Sequence, residues 1–302
     1  MTTTQATQPP APRIALLVLA CHAAAVLEQL AALFAADRFR IFVHLDAREN
    51  IHAYSQGRHW PPNLEFIPER FPVFWGGFNM VRATEIMART ALRDPTCAVC
   101  ALVSDDTLPV LNPDEVYHAL RAEPDRIDVG LRRRNPPFQQ RYDEFFFLDA
   151  PATSARYLSI EQRTVDVRTL AALRRLEALR VRGKYRHREV WGGSQWWSLG
   201  RASLEASLAE LRHNTWLRES FEFSAVPDES VFHTLHANRL GLAAHSFTSP
   251  MLADMNRTPA PFVYTNAAEI PKIPPGKLFL RKIDQAAAVD LRLALQARWS
   301  HA

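Results

Sequence analysis

Hydrophobic and polar positions alternate between two periods along the first half of the chain. Ile14–Ala20 (IALLVLA) is an unbroken, partly β-branched apolar run that predicts a fully buried strand, and the Ala/Leu-rich Ala23–Ala36 predicts a helix. Ile41–Asp46 (IFVHLD) predicts a second strand and Leu64–Ile67 a short third. Over Phe78–Arg93, Val81, Thr84, Ala88 and Ala91 fall on one face at helical spacing. Val99–Ser104 predicts another buried strand, closed by Pro109. Asn112 then caps a helix, with Pro113 at its first position and Glu115 three residues after the cap. Strand and helix in strict alternation imply a parallel sheet with right-handed crossovers. Ligands of such sheets bind at the carboxyl ends of the strands, and the residues there are polar: His22, Asp46 and Ser104–Thr107.

The second half is less regular. Arg132–Tyr142 reads as a basic, Pro-bearing loop and Val167–Val181 as a basic amphipathic helix. Gln195–Leu199 predicts a strand, Ala202–His213 and Glu229–Asn238 predict helices, Leu278–Ile283 a strand and Ala286–Trp299 a helix.

Composition narrows the class. At 302 residues and 47% hydrophobic, the chain can bury a large core and is neither fibrous nor disordered. Met1–Pro12 is polar and reads as a flexible tail. The apolar stretch Ile14–Ala36 is broken by His22, Glu28 and Gln29, so it divides into strand and helix rather than spanning a membrane. With no anchor, the expected location is the cytoplasm. Cys97 and Cys100 form a lone CxxC inside an apolar run, where buried thiols are expected rather than zinc or redox chemistry. The net charge of +4 hides an asymmetric stretch, Arg163 to Arg188, opposed only by Asp166 and Glu177. It is either a solvated face or a surface for an anionic membrane or polymer.

Several groups carry chemistry. Asp105 and Asp106 follow a buried strand and are a pair that Mg²⁺ or Mn²⁺ could use. Trp75-Gly76-Gly77 offers a flat ring and close backbone approach to a donor, or a packed turn. Ser194-Gln195-Trp196-Trp197 combines aromatic faces with hydrogen-bonding groups, as a sugar site would. On a strand the two tryptophans face opposite ways, which makes one of them core. His44 reads as a core histidine, and no HExxH spacing, Gly-rich phosphate loop or GxSxG elbow exists.

Read in order, IALLVLACH, IFVHLD, FWGGFNMVRATEIM, LVSDDTLPVL, GGSQWWSLGR, VPDESVFHTL and KLFLRKID span residues 14–284. This succession resembles the core-2/I-branching N-acetylglucosaminyltransferase and peptide xylosyltransferase family, in its bacterial form. The resemblance implies an α/β, glycosyltransferase A-type fold with a mostly parallel, Rossmann-like sheet flanked by helices. It also implies one transferase domain over residues 13–302, with a nucleotide-binding half (13–125) and an acceptor-binding and catalytic half (126–302). The implied reaction is inverting transfer of N-acetylglucosamine or xylose from a UDP-sugar to a hydroxyl of a glycan or lipid-linked glycan, with no metal cofactor and no nucleic-acid partner.

Glu229 matches the family's catalytic base, as a carboxylate that takes the proton of the attacking hydroxyl. Asp228 would be its helix-capping neighbour. Arg281 and Lys282 match the cations on the leaving diphosphate, and strand alternation favours Lys282 as the one that points at it. His22, Asp46, Trp75, Gly76, Gly77, Ser104, Asp105 and Asp106 are assigned to the donor. Arg141, Tyr142, Ser194, Gln195, Trp196 and Trp197 are assigned to the acceptor. Two alternatives remain: a metal-dependent transferase using Asp105 and Asp106, and a basic binding protein that docks through Arg163–Arg188. Peripheral contact with the inner face of the plasma membrane fits the same basic segment.

Overall fold

The computed structural model describes residues 11–34, 37–131, 138, 141–142, 146, 148–149, 171, 189–240 and 248–299. Residues 1–10 of the tail, all but Ala171 of the predicted helix Val167–Val181 and of the basic stretch Arg163–Arg188, and most of the loop Arg132–Tyr142 lie outside the described residues.

The core is a five-stranded sheet with the order β3-β2-β1-β4-β8. Its members are β1 (Arg13–Ala20), β2 (Phe39–Leu45), β3 (Leu64–Phe66), β4 (Cys97–Ser104) and β8 (Ser198–Gly200). β1 pairs in parallel with both β2 and β4, and β2 with β3, while β8 closes the β4 edge antiparallel. Ile14 to Val18 are entirely buried, which explains why the central strand is apolar on both faces. Cys97 and Cys100 are free, buried thiols of β4, as expected. The chain leaves β1 toward β2 and β3, then returns to place β4 on the other side of β1. The topological switch therefore lies between the ends of β1 and β4.

Helices flank this sheet. α1 (Ala24–Leu33) follows β1, and α2 (Ile51–Ser55) is a single turn capped by Asn50. α3 (Asn79–Leu92) packs against β1, β2 and β4. α4 (Pro113–Ala122) carries the predicted capping box between Asn112 and Glu115. The chain continues through α5 (Arg201–His213), α6 (Thr215–Glu222), a 3₁₀ turn Pro227–Glu229, α7 (Val231–Leu240) and α8 (Ala288–Trp299), which packs on α1. A second sheet, β5-β10-β9, joins β5 (Leu108–Pro109) to β10 (Phe279–Arg281) and β9 (Met251–Ala253). A two-stranded ribbon pairs β6 (Gly130–Leu131) with β7 (Trp191–Gly192). The fold is thus α/β with a mostly parallel, helix-flanked central sheet.

Three boundaries differ for physical reasons. β2 starts at Phe39 because the strand accommodates Arg40, whose guanidinium reaches Asp94 and Glu65 at 3.3 Å each. The predicted strand Gln195–Leu199 begins only at Ser198. In the preceding loop the Ser194 carbonyl accepts from His233 Nε2 and the Trp196 carbonyl from Ser249 Oγ, so neither joins a ladder. The predicted helix Glu229–Asn238 divides in two, because Val226 is left-handed (φ 54°) and Pro227 starts a separate 3₁₀ turn.

Candidate active site

At the switch point, the Asp105 carboxylate bridges the two strand ends. Its Oδ2 accepts from the backbone N–H groups of Cys21 (2.9 Å), His22 (3.1 Å) and Ala23 (2.8 Å), and from the Tyr54 hydroxyl (3.0 Å). Burial, then the neighbouring Asp106, push this carboxyl upward, while the N–H donors pull against them. The same acidic surroundings, after burial, push the Cys21 thiol to about 12, so it is not a thiolate nucleophile.

Asp106 is held just as firmly. Arg281 reaches it in bidentate fashion, Nε to Oδ1 and Nη2 to Oδ2 at 3.1 Å each, and Ser104 Oγ donates to Oδ1 at 2.5 Å. Burial works to raise this carboxyl, but the Arg281 guanidinium and Ser104 hold it below the usual carboxylate range. The Arg281 guanidinium also lies over the Trp196 ring, 4.6 Å from its centroid. Arg281 is therefore built into the protein. Lys282, its neighbour, has no side-chain ion pair or hydrogen bond among the described residues. Its backbone carbonyl accepts from Tyr264.

Glu229 ends the 3₁₀ turn. Its side chain is 36% exposed, and Oε2 accepts from Arg141 Nη1 at 2.9 Å. Gly193 N–H donates to the Glu229 carbonyl at 3.0 Å. A Cβ at Gly193 would sit 1.8 Å from the Asp128 carbonyl oxygen, so only glycine permits this approach. From Gly193 the chain needs three peptide steps, a reach of at most about 11 Å, to Trp196 beneath Arg281. This strap ties the Glu229 turn to the Asp106–Arg281 pair.

The remaining predicted residues separate by role. Asp46 is buried and occupied by Arg48, through the backbone N–H at 2.9 Å, Nε at 3.1 and 3.2 Å and Nη2 at 2.7 Å. The His22 ring lies beside Cys21 Sγ, 2.6 Å from it through Nδ1. The Gly76 (φ 78°) carbonyl accepts from Val226 N–H, and a Cβ there would meet Val226 and Leu148 at 3.3 Å. A Cβ at Gly77 would sit 2.1 Å from Asp149 Oδ1, the carboxylate that accepts from Asn79 N–H at the start of α3. These two glycines thus serve the packing of the Glu229 turn and of α3, while Trp75 is 56% exposed.

Trp197 is fully buried against Phe232, 5.0 Å between ring centroids, and offers no surface to an acceptor. Trp196 is also largely buried, so at least one tryptophan is core, as expected, and both pack from a loop in place of the expected strand. Tyr142 is buried, with its hydroxyl on Ser230 Oγ. Ser194 and Gln195 are partly exposed, and Gln195 Nε2 contacts Met80 Sδ. His44 is the core histidine expected: Nε2 accepts from Phe71 N–H at 2.9 Å, and burial lowers it to about 4. Asp228 lies within the 3₁₀ turn and is buried.

The description of the Core-2/I-Branching enzyme family matches residues 14–258. The chain belongs to that family. It is accordingly a glycosyltransferase, an enzyme that uses a sugar donor and a glycan acceptor. No curated protein matches the chain. The family match contains Glu229, Asp105, Asp106 and the Gly193–Trp196 strap, and Arg281 and Lys282 lie beyond it. Sequence reasoning missed Arg48, Tyr54 and the pairing of Arg141 with Glu229. Only the last left a signal, a basic residue within a segment already assigned to the branching-enzyme site. No helix among the described residues is long and apolar enough to cross a membrane.

Proposed function

We propose that the chain is an inverting transferase that moves N-acetylglucosamine or xylose from a UDP-sugar to a hydroxyl of a glycan or lipid-linked glycan, without a divalent metal. The acceptor hydroxyl gives its proton to the Glu229 carboxylate while its oxygen attacks the anomeric carbon. The bond from that carbon to the diphosphate oxygen breaks on the opposite face, and the electron pair leaves with UDP. The Lys282 ammonium stabilises the charge that develops there. Arg281 shares that field while tethered to Asp106.

The observation that carries this reading is the strap. A partly exposed carboxylate with one arginine partner is tied within three residues to the fixed Asp106–Arg281 ion pair at the carboxyl end of β4. Metal independence is supported by the donor set. Both Asp106 oxygens serve Arg281, so a cation there would have to displace the guanidinium, and Asp105 Oδ2 already serves four donors. Among the described residues no three His, Cys, Asp or Glu side chains gather as metal ligands. The cytoplasmic, inner-membrane-face location rests on the basic segment Arg163–Arg188. Calorimetric titration with UDP in EDTA, with GDP as control, tests the donor assignment. UDP-selective binding without metal is expected, and binding that requires Mn²⁺ would transfer the role to Asp105 and Asp106.

A further inference from the structure

The turn that carries Glu229 also holds a carboxyl that this mechanism does not use. Asp228 is only 7% exposed, and its Oδ1 is buried without a hydrogen-bond partner. The backbone around it is held on each side. Val226 N–H donates to the Gly76 carbonyl, Gly193 N–H to the Glu229 carbonyl, and Ser230 N–H to the Pro227 carbonyl. These bonds fix the backbone from which the buried side chain projects. A buried carboxylate oxygen with no donor carries a desolvation cost that a carboxylic acid largely avoids.

We infer that Asp228 is a neutral carboxylic acid and a positioning residue, which leaves Glu229 as the only negative charge on the catalytic turn. The inference rests on the reading of Glu229 as the base. Were both residues ionised, two adjacent carboxylates would compete for the Arg141 guanidinium, and Glu229 would lose its fixed orientation. The charges acting on Asp228 are Glu229, beside it on the turn, and Arg141. α7, packed behind the turn, contributes the buried His233, whose Nε2 faces the Ser194 carbonyl. α3 contributes Arg82, which is engaged by Asn79 and Glu222.

Burial first, and then Glu229, push Asp228 up to about 8, while its own backbone N–H and Arg141 pull against them. An aspartate in the unfolded chain ionises near its ordinary value of 3.8. Its folded-state value is raised, so stability falls as pH rises from that value through about 8. In the same alkaline range the added charge beside Glu229 lowers turnover.

The test uses the full chain and its D228N variant, which keeps the shape of the neutral acid. Infrared spectra of the wild type at about pH 7.5 should contain a carboxylic-acid carbonyl band that disappears by about pH 9 and is missing in D228N. Asp149, which burial pushes only to about 6, has largely ionised by then, and Asp105, also pushed upward, is common to both proteins, so the wild type minus D228N difference isolates Asp228. Thermal melts should show D228N gaining on the wild type as pH rises. UDP release from UDP-N-acetylglucosamine should lose its alkaline decline in D228N while its neutral-pH rate stays within about threefold. Absence of the band in the wild type, or the same alkaline decline in both proteins, overturns the inference. Should D228N fail to fold, D228S takes its place in the difference spectrum, and a band unchanged between the two proteins overturns the inference. The spectrum and the melts do not depend on transfer chemistry. Full turnover by E229Q would thus sink the base assignment and leave the state of Asp228 separately measured.

Discussion

Two groups of carboxylates sit at the loop ends of this molecule, and they are treated in opposite ways. At the strand ends, Asp46, Asp105 and Asp106 are buried and occupied by protein donors: Arg48, three backbone N–H groups with Tyr54, and Arg281 with Ser104. At the 3₁₀ turn, Glu229 is partly exposed with Arg141 on one oxygen. A carboxylate with both oxygens committed, as in Asp46 and Asp106, has little left for a substrate or a metal. One held by a single partner keeps an oxygen for a proton. Under the proposed mechanism the strand-end group builds the floor of the site and the turn performs the chemistry.

The sharpest way to break this contrast is Glu229→Gln. Turnover should fall about 10²–10⁴-fold, with UDP affinity and melting temperature unchanged. Loss of stability in place of activity would erase the distinction. Asp106→Asn should do the reverse. It leaves the mostly buried Arg281 guanidinium without its charge partner, at a cost of about 3–5 kcal/mol, read from denaturant unfolding. A variant as stable as the wild type would mean that the bidentate pair contributes nothing to the floor.

A third prediction concerns acid. Burial lowers His44 to about 4 from its ordinary 6.5, and its Nε2 must stay unprotonated to accept from Phe71. The unfolded chain binds the extra proton first, so stability is present above 6.5 and falls as pH drops toward 4. The loss from this group is at most about 3 kcal/mol. His44→Gln, which keeps an acceptor, should flatten unfolding free energy over that window. An unchanged slope would assign the acid sensitivity elsewhere. The smallest effect expected is at the strap. Gly193→Ala forces a methyl group against the Asp128 carbonyl, costing about 1–3 kcal/mol, and the displaced Glu229 should lower turnover more than it lowers UDP affinity.

Much of this contrast could be read before any coordinates. The unbroken apolar run Ile14–Ala20 and the capping box at Asn112 locate a strand and a helix because burial and capping are local properties. The ordered motifs, from LVSDDTLPVL to KLFLRKID, name the family and bring out Glu229. What stayed hidden is pairing at long range. Asp106 and Arg281 are 175 residues apart, and Arg141 and Glu229 are 88 apart. No periodicity reports such contacts. The Ser194–Trp197 segment misled for a related reason. Its two tryptophans look strand-like, but its carbonyls are taken by His233 and Ser249, side chains that only folding brings near. Gly193 gives no sign in the sequence that it abuts the Asp128 carbonyl.

The strap also sets where this enzyme can change. Gly193 is closed to any side chain by Asp128, and Trp196 is pinned between the Arg281 guanidinium and Ser249. Between these fixed posts Ser194 Oγ accepts from the Trp196 N–H at 3.4 Å, which leaves Gln195 as the side chain of the loop that can be exchanged without loosening either end. Variation in that loop is thereby confined to a one-residue window, bordered by the Glu229 turn on one side and the Asp106–Arg281 pair on the other. A library randomised at that position would sample new contacts on an unaltered frame.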